Sequence, residues 1–129
     1  MGRVIHFEIH AQEPERAAKF YAAVFGWEVK KWDGPAEYWL VSTGDPGKPG
    51  INGGLMRRQG SPPGDGQAVN AYVCTAEVAS ADGTAAAVAA HGGSVVVPKM
   101  AIPGLGWLFY FKDTEGNIFG AMQPDPNAS

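Results

Sequence analysis

Apolar and polar residues alternate along the first segment of the chain, Val4–His10. Strict alternation is typical of a β-strand whose two faces differ, because successive side chains of a strand point to opposite sides. The apolar face carries isoleucine and phenylalanine, and the polar face carries His6, Glu8 and His10. The pattern therefore predicts a first strand with one polar face.

A helix and three more strands are predicted in the rest of the first half. Pro14 stands where a first helical turn begins, apolar residues recur at helical spacing as far as Val24, and Gly26 is placed to end the helix. Strand-like runs follow at residues 27–32, 37–43 and 51–57. The first half is thus predicted to be β-α-β-β-β.

The second half repeats this order. A strand-like run, an Ala-rich helix and three further strand-like runs occupy residues 68–75, 80–90, 94–98, 106–112 and 117–123. Aligning the halves places His6 against Asn70 and Trp39 against Trp107. We therefore predict one domain over residues 1–129, with module one at about 1–60, a linker at 60–66 and module two at about 67–129.

Composition narrows the class of protein. The chain has 129 residues, 45% of them hydrophobic and 18% charged, which suits a single globular domain. A net charge of −3, with no basic cluster beyond Arg57-Arg58 and Lys30-Lys31, argues against nucleic acid as a partner, and the short apolar runs argue against a membrane. A lone Cys74 leaves no internal disulfide or cysteine zinc site. These features, with a first segment unlike a signal peptide, predict a cytoplasmic location.

Several short motifs follow one another in an order typical of one known family. They are His6-Phe7-Glu8-Ile9, Pro14–Tyr21, Val24-Phe25-Gly26-Trp27, Gly50–Met56, Gly104-Leu105-Gly106-Trp107 and Asp113–Asn117. With them, nearly the whole chain resembles the glyoxalase / bleomycin-resistance / extradiol dioxygenase superfamily, also called vicinal oxygen chelate proteins. The resemblance implies an α+β fold of two tandem βαβββ modules with curved mixed sheets that enclose a cleft, assembled as a homodimer. Whether the modules pair within one chain or across the dimer stays open.

The resemblance also implies where a divalent metal ion would be held. Carried over, the family's ligand positions fall on His6, Gly54, Asn70 and Gly120. Only His6 is an ordinary ligand, whereas a catalytic metal needs at least three protein ligands. We therefore predict no metal and no cofactor; the alternative is a divalent metal at His6.

The inferred cleft is unusually polar for the interior of a sheet. The predicted ligand-binding residues are His6, Glu8, Asn52, Gly54, Asn70, Tyr72, Tyr110 and Gly120. Buried polar groups without partners cost on the order of 1 to 3 kcal/mol each, so these groups either bond to one another or bind a ligand. His6 and Glu8 could also form a catalytic acid/base pair, or could simply satisfy each other as strand neighbours.

Two functions of different class follow. The first is a metal-free protein that binds a small aromatic or polyketide-like molecule in its sheet cleft, as drug-sequestering members of the superfamily do. The alternative is an enzyme of the same superfamily, a lyase, isomerase or dioxygenase, either with an unusual divalent-metal site or with His6 and Glu8 as an acid/base pair. A structural dimer without a ligand is disfavoured by the polar cleft. The missing metal ligands favour the first function.

Overall fold

The computed structural model describes residues 2–70, 72–114 and 117–129, and its elements follow the predicted β-α-β-β-β order twice. Module one consists of β1 (Arg3–Ala11), α1 (Pro14–Phe25), β2 (Glu28–Lys31), β3 (Trp39–Ser42) and β4 (Gly53–Arg57). Module two consists of β5 (Val73–Glu77), α2 (Ala81–Ala90), β6 (Ser94–Ile102), β7 (Gly106–Lys112) and β8 (Ile118–Pro124). The predicted α+β fold of two tandem βαβββ modules is confirmed.

Both helices have the ends that their sequences favour. Pro14 opens α1, and Gly26 closes it with a left-handed φ of 73°, a conformation that glycine adopts without strain. The Ser80 hydroxyl caps α2 by accepting a hydrogen bond from the backbone N–H of Gly83 at 3.0 Å. Among the described residues, no helix has the length and apolarity needed to cross a membrane.

In module one the strands lie in the order β2-β3-β4-β1, with β1 parallel to β4 and the other pairs antiparallel. One face of these strands forms the core of the module, and its buried side chains are Phe7, Ile9, Trp39, Val41 and Leu55. Ala17 and Tyr21 of α1 pack against that cluster. The helix therefore covers one face of the module's strands.

Module two repeats the arrangement in the order β5-β8-β7-β6, with β5 parallel to β8. Its core contains Ala81, Phe109 and Ala121. β6 extends to Ile102, past the predicted end at Pro98. Pro98 is tolerated within β6 because β6 is an edge strand and because its pairing with β7 shifts register between Val97 and Met100.

The chain divides into two compact units, His6–Tyr72 and Gly2–Ile5 with Val73–Ser129. Strand β5 begins at Val73, five residues after its predicted start at Ala68. Residues 61–70 are all exposed and lie outside any strand, so the predicted segment lacks a paired strand at its beginning.

Strand register corrects the alignment of the two halves. Glu8 pairs with Gly54 across β1 and β4, and Thr75 pairs with Gly120 across β5 and β8. Glu8 and Thr75 are therefore equivalent, and the counterpart of His6 is Val73, not Asn70. The predicted match of Trp39 with Trp107 shifts as well, because Leu40 faces Gly54 as Tyr110 faces Gly120. Because the two modules share few identical residues, their sequences alone could not reveal the small differences in loop length between them.

Candidate functional site

Strand β1 separates an apolar core from a polar face. Phe7 and Ile9 are buried in the core beneath α1. Because side chains alternate along the strand, Glu8 lies on the opposite side with His6 and His10, as predicted. We call these three residues the polar face of β1. Glu8 is only 7% exposed, so its carboxyl group needs polar partners.

Tyr38, which directly precedes β3, links His6 to Glu8. Its hydroxyl donates a hydrogen bond to Oε2 of Glu8 at 2.9 Å and lies 2.8 Å from Nε2 of His6. Since the hydroxyl proton is directed at Glu8, the N–H at Nε2 of His6 donates to the phenol oxygen, and Nδ1 carries the imidazole lone pair. Trp32 meets the Tyr38 ring edge-on at 6.4 Å.

Gly54 makes room for this ring. Strand register places Gly54 between Glu8 on β1 and Leu40 on β3. A Cβ at position 54 would overlap the hydroxyl and ring carbons of Tyr38. Tyr38 thus fills the volume that a side chain at position 54 would otherwise occupy.

The electrostatic environment favours a neutral imidazole at His6. Burial lowers the pKa of His6 below its usual 6.5, and the nearby Glu8 opposes this shift without overcoming it. A neutral histidine whose lone pair is at Nδ1 can accept a proton or a hydrogen bond at that atom. The hydrogen bonds between Tyr38 and the His6 and Glu8 side chains therefore orient a neutral imidazole that can act as a base at Nδ1.

Module two has the same architecture with different chemistry. Gly120 lies opposite Thr75 and Tyr110, and a Cβ there would come within 2.7 Å of the Thr75 hydroxyl and 3.2 Å of the Tyr110 ring. The predicted site residues Tyr110 and Gly120 therefore lie together. Because buried Thr75 stands where module one has Glu8, the counterpart of the carboxyl group is a hydroxyl.

The other predicted ligand-binding residues lie away from the polar face. Oδ1 of Asn52 accepts a hydrogen bond from the backbone N–H of Thr43 at 2.9 Å, which ties together the loop ends beside β3 and β4. The Tyr72 ring stacks on Phe7, and its hydroxyl donates to the Tyr21 hydroxyl at 3.1 Å, so it lies on the core side of β1. Asn70 is exposed and precedes β5.

Tyr38 was not among the site residues predicted from the sequence. The available signal was the glycine at position 54: an empty position on one strand requires a large side chain from a neighbouring strand. Strand β3 is that neighbour, and Tyr38 has the same parity as Leu40, which pairs with Gly54. Strand order is needed to use this signal.

The residues around His6 do not fit the metal ion that the family resemblance implies. Among the described residues, no group of three His, Cys, Asp or Glu side chains converges on one point. The Tyr38 oxygen also lies between the two side chains that could serve as ligands, 2.8 Å from the His6 nitrogen and 2.9 Å from the Glu8 oxygen. A divalent ion would have to displace it.

Comparisons with known proteins agree with this fold. Residues 3–44 match the family described as bleomycin resistance protein-like N-terminal. The chain is 33% identical over 127 residues to the putative glyoxylase CFP32 of Mycobacterium tuberculosis and to that of Mycobacterium bovis. The alignment covers 97% of this chain and 45% of each relative, so the chain spans less than half the length of these proteins.

Solved structures extend the likeness over almost the whole chain. Methylmalonyl-CoA epimerase from Mycobacterium tuberculosis superposes with a TM-score of 0.62 at 17% identity, covering 95% of this chain and 88% of the epimerase. A Streptomyces coelicolor methylmalonyl-CoA epimerase in complex with 2-nitronate-propionyl-CoA gives a TM-score of 0.64 at 19% identity, covering 98% and 97%. At these identities the likeness concerns the fold.

Proposed function

We propose that the chain is a member of the vicinal oxygen chelate superfamily that binds a small aromatic or polyketide-like molecule without a metal ion. The ligand lies against the polar face of β1 in module one. The observation that carries this proposal is the hydrogen-bonded chain of His6, Tyr38 and Glu8. In it the Tyr38 hydroxyl occupies the space between the two side chains that would have to bind a metal ion.

The polar face supports recognition of a polar group on the ligand. Nδ1 of His6 offers a lone pair that accepts a hydrogen bond from a ligand hydroxyl or N–H. Tyr38 and Trp32 add aromatic surface beside it. Aromatic walls with a few fixed polar groups are the usual composition of small-molecule sites.

A ligand screen with matched tyrosine variants tests the proposal. Aromatic and polyketide-like compounds are screened by ¹⁵N NMR, and affinities of hits are measured for wild type, Tyr38→Phe and the control Tyr21→Phe, which removes a hydroxyl on the core side of β1. We expect Tyr38→Phe to weaken binding about tenfold, because the variant loses the hydroxyl that orients His6. The proposal fails if no compound perturbs the polar face, or if both variants bind like wild type.

A second candidate function is acid–base catalysis by His6 and Glu8. The neutral His6 imidazole favours it, because a general base must be unprotonated at working pH. The fold is shared with methylmalonyl-CoA epimerases, so methylmalonyl-CoA is the first substrate to test. Incorporation of deuterium from D₂O into that compound, abolished in His6→Ala and retained in Tyr21→Phe, would establish the enzyme. Absence of exchange in wild type would exclude this substrate.

We also propose a homodimer in the cytoplasm. The outer face of α1 exposes Phe20, Val24 and Phe25 by 58%, 55% and 60%, and neighbouring exposed apolar side chains mark interfaces. Light scattering should give twice the monomer mass for wild type and the monomer mass for Phe20→Glu; a wild-type monomer would refute the dimer.

The proposed cytoplasmic location rests on the single Cys74, since a free thiol suits a reducing compartment.

A further inference from the structure

The polar face of β1 continues beyond Glu8 to His10, which the hydrogen-bonded chain does not include. The Nε2 atom of His10 is buried, and it has no hydrogen-bond partner within the described part of the chain. A buried polar atom left unpaired is unfavourable, so it marks a place where another polar group belongs.

The Arg58 side chain lies at the same end of β1. Its Nε donates to the side-chain oxygen of Gln12 and its Nη2 donates to the backbone oxygen of His10, both at 2.8 Å. Both acceptors are uncharged. These bonds hold a half-buried guanidinium in place while leaving other N–H donors available.

The neighbouring arginine behaves differently. Arg57 forms an ion pair with Glu37 at 3.0 Å. Arg58 has no such carboxylate partner among residues 2–70, 72–114 and 117–129. A fixed guanidinium without a counter-charge is suited to bidentate binding of a carboxylate.

We propose that Arg58 and His10 form an anion subsite that receives the carboxylate of the ligand. This inference rests on the proposed function, since it extends the same polar face. His6 and His10 are four residues apart on β1, which separates their α-carbons by about 13 Å, so a ligand that reaches both is longer than one benzene ring. The ligand class is therefore an elongated aromatic carboxylic acid, with its carboxylate at Arg58 and a hydroxyl or carbonyl group at its far end beside His6 and Tyr38.

Two probes of equal size test the charge requirement. Affinities of 4′-hydroxybiphenyl-4-carboxylate and of its uncharged amide, 4′-hydroxybiphenyl-4-carboxamide, are measured by calorimetry for wild type, Arg58→Gln and the control Arg57→Gln. We expect wild type to bind the acid at least about tenfold more tightly than the amide. Arg58→Gln should remove that preference, and Arg57→Gln should keep it. Equal affinities in wild type, or equal effects of the two substitutions, would overturn the subsite.

A titration of wild-type protein with sodium acetate needs no variant. The Nε–H signal of Arg58 and the ring signals of His10 should shift at lower acetate concentrations than the Arg57 signal; simultaneous shifts would contradict the proposal. If the acid and the amide bind equally and Tyr38→Phe weakens both, ligand binding stands and the anion subsite fails. If acetate shifts Arg58 while neither aromatic probe binds, the anion subsite stands and this aromatic ligand class fails.

Discussion

The ring of Tyr38 and the bare α-carbon of Gly54 share one volume, because the tyrosine fills the space beside β4 that a side chain on the glycine would need. The packing of module one and the arrangement of its candidate site therefore depend on the same residue, Tyr38. The same hydroxyl that lies over Gly54 also holds His6 and Glu8 together.

A methyl group at position 54 should therefore destabilise the protein. We expect Gly54→Ala to lower the free energy of unfolding by about 1 to 3 kcal/mol, because the new Cβ forces the Tyr38 ring aside. Urea denaturation measures the change, with Gly64→Ala in an exposed loop as the control. In a Tyr38→Ala background the penalty should shrink, and an unchanged penalty would show that the two residues do not compete for space.

Removing only the Tyr38 hydroxyl should also reduce stability. Tyr38→Phe leaves His6 and Glu8 without a shared partner, so we expect a loss of about 1 to 3 kcal/mol in the free energy of unfolding. Tyr72→Phe is the matched control, since it removes an exposed tyrosine–tyrosine hydrogen bond. Equal losses for the two variants would argue against a special role for the Tyr38 hydroxyl.

Stability should depend on pH through His6. Burial lowers the pKa of this imidazole below 6.5 in the folded protein. Between that lowered value and 6.5 the unfolded chain binds more protons, so the free energy of unfolding should rise with pH across this window and should fall as the medium is acidified. Urea unfolding across the window should show a steeper slope for wild type than for His6→Gln. Parallel slopes would contradict the shift.

The Glu8 carboxyl group should tune the same titration. Because Glu8 raises the pKa of His6 against the effect of burial, Glu8→Gln should lower the pKa further. Titration of the His6 ring signals by NMR measures this directly. An upward shift in the variant would mean that Glu8 does not act as a negative charge on His6.

Metal binding should appear only when the site is rebuilt. We expect purified wild type to take up zinc or nickel well below one ion per chain, measured by plasma mass spectrometry after dialysis against each metal. The double variant Tyr38→Ala/Gly54→Glu clears the space and adds a third ligand beside His6 and Glu8, so it should approach one ion per chain. One ion per wild-type chain, lost in His6→Ala, would restore a metal-dependent protein.

The fold could be predicted from sequence because its elements carry local signals. Alternation over Val4–His10, Pro14 and Gly26 at the ends of α1, and Ser80 before α2 each reflect short-range physical preferences. The start of β5 was wrong because the exposed residues 68–70 have strand-like composition without strand pairing.

The candidate site could be predicted only in part. Strand parity placed His6 and Glu8 on one face, because that inference needs one strand alone. Tyr38 depends on the order and register of β1, β4 and β3, and Tyr72 packs on the core side of β1 against α1. Relationships between elements distant along the chain leave little local signal.

The parallel pairing of β1 with β4 ties the formation of the site to folding kinetics. These strands lie at opposite ends of module one, so their pairing closes the longest loop in the module and should form late. His6 and Glu8 on β1 meet the Tyr38 ring over Gly54 only after that closure. A ligand on the polar face would then contact residues that come together only late in folding. Its binding should therefore slow unfolding more than it speeds folding.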